Sequence, residues 1–189
     1  ADVIEHWTKN GITFQSTTPM NEPDTEYWGA NSNKQEGCHF DPGTSQSNIL
    51  VALDKELKAK AAAATDTKVK KALENIILSG TDETDIDKAI TSYNKLSKEA
   101  KQVIGRIDTH TYSGSKRAEL CELAEKEGKN LWMSEVEGDY TAGTNAGEMT
   151  GALGLAQRII TDLNGLKSSA WILWNAVDMH VDADQSRDG

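Results

Sequence analysis

Cysteine, proline and aromatic residues are all scarce in this chain. Its two cysteines, Cys38 and Cys121, lie far apart and show no metal-ligand spacing. A disulfide between them and a pair of free thiols are both compatible with that placement. His39, Asp41 and His180 form no metal-binding spacing either. Basic residues are the minority, 20 against 30 acidic ones, for a formal charge of −10. That field repels a phosphate backbone or an anionic bilayer, so neither nucleic acid nor membrane is expected as a partner. No apolar run approaches the roughly 18 residues of a membrane-spanning helix, and no signal-peptide pattern is visible. A glycine-rich phosphate turn after the first strand is missing, which disfavours a nucleotide-binding sheet. So is the Gly-x-Ser-x-Gly elbow, which removes a serine-nucleophile α/β hydrolase.

The chain does hold two short apolar runs that each end on a glutamate. One leads through Pro19-Met20 into Asn21-Glu22-Pro23; the other leads through Leu131-Trp132-Met133-Ser134 into Glu135. Both are β-branched or aromatic, bounded by glycines and separated by helical stretches, the pattern of buried strands in a parallel α/β sheet. Chemistry in such folds sits at the carboxyl ends of the strands. A facing pair of carboxylates at that rim is the machinery of a glycosidase.

Between these runs the pattern predicts regular alternation. A helix over 1–10 stopped by Gly11 precedes a strand over 12–18 and a long loop over 21–44. A helix over 45–61 follows, with Ile49, Leu50, Leu53 and Leu57 on one face, and the alanine run with Thr65-Asp66-Thr67 closes it. A second strand over 75–79 ends on Gly80-Thr81-Asp82-Glu83, and a helix over 85–103 begins with acidic residues. A third strand over 104–109 ends on His110-Thr111-Tyr112; a helix over 115–126 is capped by Ser115 and stopped by Gly128. The Glu135 strand, a helix over about 146–166 and a last strand over 170–175 complete the order. No hairpin signal separates any two strands, so the units are parallel βαβ. The length suits one sizeable core, and nothing marks a second domain. A (β/α)8 barrel is the best-fitting fold class. Five strands do not close one, so the chain reads as its later part.

Several motifs, in order, resemble glycoside hydrolase family 30, closest to its endo-β-1,6-galactanase-like branch. They are Pro19-Met20-Asn21-Glu22-Pro23, Trp28-Gly29-Ala30-Asn31, Gln35-Glu36-Gly37-Cys38, Asp82-Glu83, His110-Thr111-Tyr112-Ser113-Gly114, Trp132-Met133-Ser134-Glu135 and Leu173-Trp174-Asn175. The resemblance implies a (β/α)8 barrel with a β-sandwich side domain, of which residues 1–189 supply strands four to eight. The first strands and the side domain are then expected outside this chain, as the partners that complete the barrel. It further implies a secreted, cofactor-free enzyme acting on an oligosaccharide or polysaccharide, without a metal.

On that resemblance Glu22 matches the general acid/base and Glu135 the nucleophile. An acid/base must hold a proton for the leaving oxygen, a state that burial and a second carboxylate favour. The two carboxyls are expected roughly 5 to 5.5 Å apart, the retaining separation. Glu137 is expected to be a solvated loop acid. Asn21 matches the residue that bonds the sugar 2-hydroxyl, or else closes an Asx turn before Pro23. His110 and Tyr112 share a face as i, i+2 neighbours; Tyr112 is expected to donate to Glu135, and His110 to bind substrate or stand as a structural histidine. Trp174 matches the aromatic floor under the sugar, Trp171 reads as core, and Trp28 as a subsite wall. Asp82 and Glu83 either meet sugar hydroxyls or cap the next helix. The contrasting reading is a carbohydrate-binding barrel or inactive fragment, which keeps the aromatics but has no need of the carboxylate pair.

Overall fold

The computed structural model describes residues 1–28, 37–137 and 149–175. Gly29-Ala30-Asn31, Gln35-Glu36, His180 and the expected start of the last helix near Ala146 lie outside the described residues. The chain runs α1 (Asp2–Lys9), β1 (Ser16–Thr17), α2 (Thr44–Ala63), α3 (Thr67–Asn75), β2 (Ile77–Asp85), α4 (Ile86–Lys95) and α5 (Lys98–Val103). It continues with β3 (Ile104–Ser113), α6 (Arg117–Lys126), β4 (Asn130–Val136), α7 (Met149–Leu166) and β5 (Ala170–Leu173). All strand pairs are parallel and lie in sequence order, β1-β2-β3-β4-β5, an arc of successive βα units. No described helix is long and apolar enough to cross a membrane.

The two faces of β3 show how the arc divides. Ile107 is fully buried in the core and the Thr111 hydroxyl donates to Asp162 of α7 (2.8 Å), so this face meets the helices. Arg106, Asp108, His110 and Tyr112 share the opposite face, where the Arg106 guanidinium stacks on Trp132 and bonds Asp108, Ser16 and Ser79. The apolar core lies between sheet and helices around Leu50, Ile86, Tyr93, Leu120, Met133 and Leu166. Each such side chain taken out of water contributes about 1.5–3 kcal/mol. A second cluster joins Ile4 of α1, Leu57 of α2, and Val69 and Leu73 of α3 to Leu78 at the start of β2.

Four expectations are corrected. The first strand shrinks to Ser16–Thr17, because the ladder begins only where Ser16 faces Ile77, and Ile12 is left exposed. Residues 67–75 form an unexpected helix, α3, whose first amides are satisfied by the Asp66 carboxylate (Lys68 N 2.7 Å, Val69 N 3.3 Å). The helix over 85–103 is two: Leu96 is extended, and Ser97 restarts the chain by capping the Ala100 amide. The helix after β3 begins at Arg117 rather than Ser115. Its preceding amides, Ser115 N and Lys116 N, donate instead to Asp87 of α4 at 3.0 and 3.1 Å. Gly114 makes that approach possible: its φ is +91°, and a Cβ there would meet Asp87 Oδ1 at 3.0 Å. Cys38 and Cys121 are free thiols. Trp171 packs against the core and donates through Nε1 to Asp162 (3.1 Å).

Candidate active site

Glu22 stands in the turn after β1 with φ at 45°, a left-handed conformation that a glutamate adopts only under constraint. The constraint is visible in its own backbone. Its N–H donates to the Asp82 carbonyl (2.9 Å), and its carbonyl accepts from Thr25 Oγ1 (2.8 Å) and Trp28 Nε1 (3.0 Å). Buried Met20 anchors the approach to the turn. The residue is 3% exposed and its carboxyl group faces two donors: His110 Nδ1 lies 3.1 Å from Oε1, and the Tyr27 hydroxyl donates to Oε2.

Glu135, near the carboxyl end of β4, accepts from the Tyr112 hydroxyl at 3.1 Å and lies 3.7 Å from His110 Nδ1. Oxygens of Glu22 and Glu135 and a nitrogen of His110 all fall within 4.8 Å of one another. Asp82 closes the group. A bulge in the β2–β3 ladder and a φ of 59° aim its side chain at His110 Nε2 (3.5 Å), while Ser134 Oγ donates to the same oxygen at 2.6 Å.

Burial opposes a charged imidazole at His110. Hydrogen bonds to Asp82 and Glu22, with the charges of Asp82 and Glu135, outweigh it and raise its pKa to about 10. His110 is therefore an imidazolium at neutral pH, set among three carboxyl groups. Burial pushes the Glu135 carboxyl upward, as do Glu22 and Asp82, while the His110 charge and the Tyr112 hydroxyl pull it down. The Tyr112 hydroxyl is pushed up by burial and by Glu135, so it stays a donor. Glu22, His110 and Glu135 are the set among the described residues that could hold a metal ion. A protonated imidazole is no ligand, however, so a metal would first have to displace that proton.

The structure thus brings Glu22, Glu135, His110 and Tyr112 together. His110, expected to bind substrate or stand as a structural histidine, is 1% exposed, and both its nitrogens face carboxylates. Asn21 is exposed beside Glu22, and Trp28 is half-buried and tethered through its indole N–H. Trp174 is exposed just past β5, its N–H donating to the Val136 carbonyl (3.0 Å). Glu137 is half-buried rather than fully solvated, and its backbone N–H reaches the Tyr112 hydroxyl. Sequence reasoning missed Tyr27, which touches the Glu22 carboxylate, and left Asp82 and Glu83 undecided. Both lie at most 8% exposed, the Asp82 carboxyl held by Ser134 and His110 and that of Glu83 by Ser92, Gln46 and the Asp24 amide. Their adjacency to a strand end was visible; their burial was not.

A pair of glutamates at the carboxyl ends of parallel strands, one buried and one half-buried, steadied by a histidine and a tyrosine from the strand between, is a glycosidase-type arrangement. The chain is 30% identical over 181 residues to an endo-β-1,6-galactanase of Hypocrea rufa, across 94% of this chain and 33% of that protein. It is 26% identical over 202 residues to an exo-β-1,6-galactobiohydrolase of Bifidobacterium longum subsp. longum, across 93% of this chain and 13% of that protein. It therefore spans a third or less of the curated relatives it matches. No family model matches the chain. Among solved structures it is similar to a glycoside hydrolase family 30 subfamily 8 xylanase, Xyn30A, from Clostridium acetobutylicum. That match has a TM-score of 0.63 at 16% identity and covers 93% of this chain and 38% of the xylanase. An endo-β-1,6-glucanase matches with a TM-score of 0.61 at 18% identity, over 92% and 36% of the two chains. At such identities the likeness carries the fold alone, and the fold is a partial (β/α)8 barrel. The resemblance to family 30, and to its β-1,6-galactanases in particular, holds along nearly the whole chain.

Proposed function

We propose that this chain carries the glutamate pair of a retaining β-glycosidase acting on β-1,6-linked galactan, with Glu22 as acid/base and Glu135 as nucleophile. The observation that carries the reading is the spacing, with carboxylate oxygens of the pair within 4.8 Å. Retaining enzymes hold their two carboxyls roughly 5–5.5 Å apart, whereas inverting ones need about 6.5–9.5 Å to admit a water between them. The galactan preference comes from the relatives, whose names specify β-1,6-galactose linkages.

In the first step Glu22 gives its proton to the glycosidic oxygen while Glu135 attacks the anomeric carbon. The leaving alcohol departs, and the sugar is esterified to Glu135. In the second step the Glu22 carboxylate takes a proton from water, whose oxygen attacks the anomeric carbon and frees Glu135. The Tyr112 hydrogen bond to Oε1 leaves the other oxygen of Glu135 for the attack. The His110 charge lets Glu135 ionise inside a group that also holds Asp82 and Glu22. Asn21 meets the sugar 2-hydroxyl, the Trp174 indole lies under the ring, and Trp28 walls a neighbouring subsite. The remaining barrel strands, a side domain and export from the cell belong to the parent protein in this reading, and the substrate-binding cleft is complete only with them.

Trapping the complete parent enzyme with a 2-deoxy-2-fluoro-β-galactoside, followed by peptide mass mapping, tests this. A covalent label on Glu135 is the expected result. Label on another residue reassigns the nucleophile. No label on folded protein across galactosides, glucosides and xylosides turns the reading to a carbohydrate-binding barrel.

A further inference from the structure

Glu83 is fully buried, titratable and unused by the chemistry above. It follows Asp82, and the bulge that turns Asp82 inward sends Glu83 the other way, into the seam between α2, α4 and the turn that carries Glu22. Its carboxylate accepts three hydrogen bonds. Ser92 Oγ of α4 (2.6 Å) and Gln46 Nε2 of α2 (2.9 Å) reach Oε1, and the Asp24 backbone N–H reaches Oε2 (3.0 Å). Gln46 Nε2 also donates to the Phe40 carbonyl (3.1 Å), which leaves Gln46 Oε1 buried without a partner. An amide held with its oxygen unsatisfied is oriented by acceptors on its nitrogen side, and Glu83 is one of the two.

The Asp24 amide is the last link in a closed set around the Glu22 turn. Glu22 N–H is taken by the Asp82 carbonyl, the Pro23 carbonyl by Phe40 N–H (2.9 Å), and the Asp24 carbonyl by Lys88 Nζ. Glu83 thus grips the peptide two residues past Glu22, on the far side of the left-handed residue from Asp82. Releasing it frees the turn to relax toward an ordinary backbone conformation, which swings the Glu22 carboxyl away from His110.

We propose that Glu83 is a positioning residue for Glu22: through the Asp24 amide it holds the left-handed turn that aims the acid/base at the reacting oxygen. The inference rests on the reading of Glu22 as acid/base. Burial, with the nearby Asp24 charge, raises the Glu83 carboxyl, and its three donors pull it only part of the way back.

The test uses the complete parent enzyme and aryl β-1,6-galactobiosides with good (dinitrophenyl) and poor (methylumbelliferyl) leaving groups. Glu83→Gln presents an amide N–H to a site of three donors, and Ser92→Ala removes one donor while keeping the carboxylate. We expect Glu83→Gln to lower kcat/KM for the poor leaving group on the order of 10- to 100-fold, with little effect on the good one, since only the former needs its proton placed well. Ser92→Ala should show the same selectivity more weakly, so the proposal stays testable if Glu83→Gln fails to fold. Equal losses on both substrates, or none, overturn it. Glu22→Gln is the reference: if that variant itself shows no leaving-group dependence, the acid/base reading fails, and not merely the role of Glu83.

Discussion

At His110, burial and charge pull in opposite directions, and charge wins. The folded pKa of about 10 lies above the unfolded value near 6.5, so the folded state binds the proton more tightly. The linked stability is fully present below pH 6.5 and is lost as pH rises through 10, a difference on the order of a few kcal/mol. Thermal unfolding from pH 6 to 10.5 should therefore show a falling Tm that His110→Gln flattens. An identical fall in the variant would place the charge elsewhere. Glu135 acts in a separate window. Its raised carboxyl lets the folded state hold that proton too, so its ionisation costs stability as pH climbs from about 4.5. His110 and Tyr112 were legible in the sequence as a same-face pair at a strand end. Asp82, which faces His110, was not, because its aim depends on a bulge and a positive φ that no local pattern announces.

At the scale of elements, helices and strands are tied by buried polar groups as well as apolar packing. Asp162 of α7 is fully buried and accepts from Arg117 of α6 (Nε, 2.8 Å), Thr111 of β3 (2.8 Å) and Trp171 of β5 (3.1 Å). Removing one partner of such a group leaves the others buried and unpaired, so Asp162→Ala should cost about 3–5 kcal/mol. A denaturant midpoint that moves down at unchanged m-value would register that loss; a shift under 1 kcal/mol would show that water replaces the carboxylate there. Strands with apolar outward faces were readable, as Leu131 and Met133 made β4. The polar continuation of β2 through Thr81-Asp82-Glu83 was not, since only tertiary partners explain its burial. Helix α3 escaped for a related reason: Val69, Ala72 and Leu73 form a narrow stripe among lysines, and the Asp66 cap follows an alanine run that reads as an ending.

For the molecule as a whole, the question is what the arc does with its ends. Among the described residues β1 pairs only with β2, and β5 only with β4. Large apolar side chains are exposed toward both ends of the arc in sequence: Val3 and Trp7 on α1 and Ile12 before β1, and Leu153, Ile160, Leu163 and Ile172 on α7 and β5. Parallel edges flanked by exposed apolar groups favour association. The charge of −10 opposes it by repulsion between copies. The two effects respond oppositely to salt. Repulsion is screened as the Debye length falls from about 10 Å at 0.1 M to about 3 Å at 1 M, whereas apolar contact is not weakened. The isolated 189-residue chain should therefore sediment as larger species as salt and protein concentration rise. On the function proposed above, it should bind a hydrophobic dye that the complete parent, whose further strands would cover both edges, does not. A concentration-independent monomer at high salt would mean that these edges are closed from within the chain. Association that instead dissolves with salt would assign the contact to charge rather than to the open barrel wall.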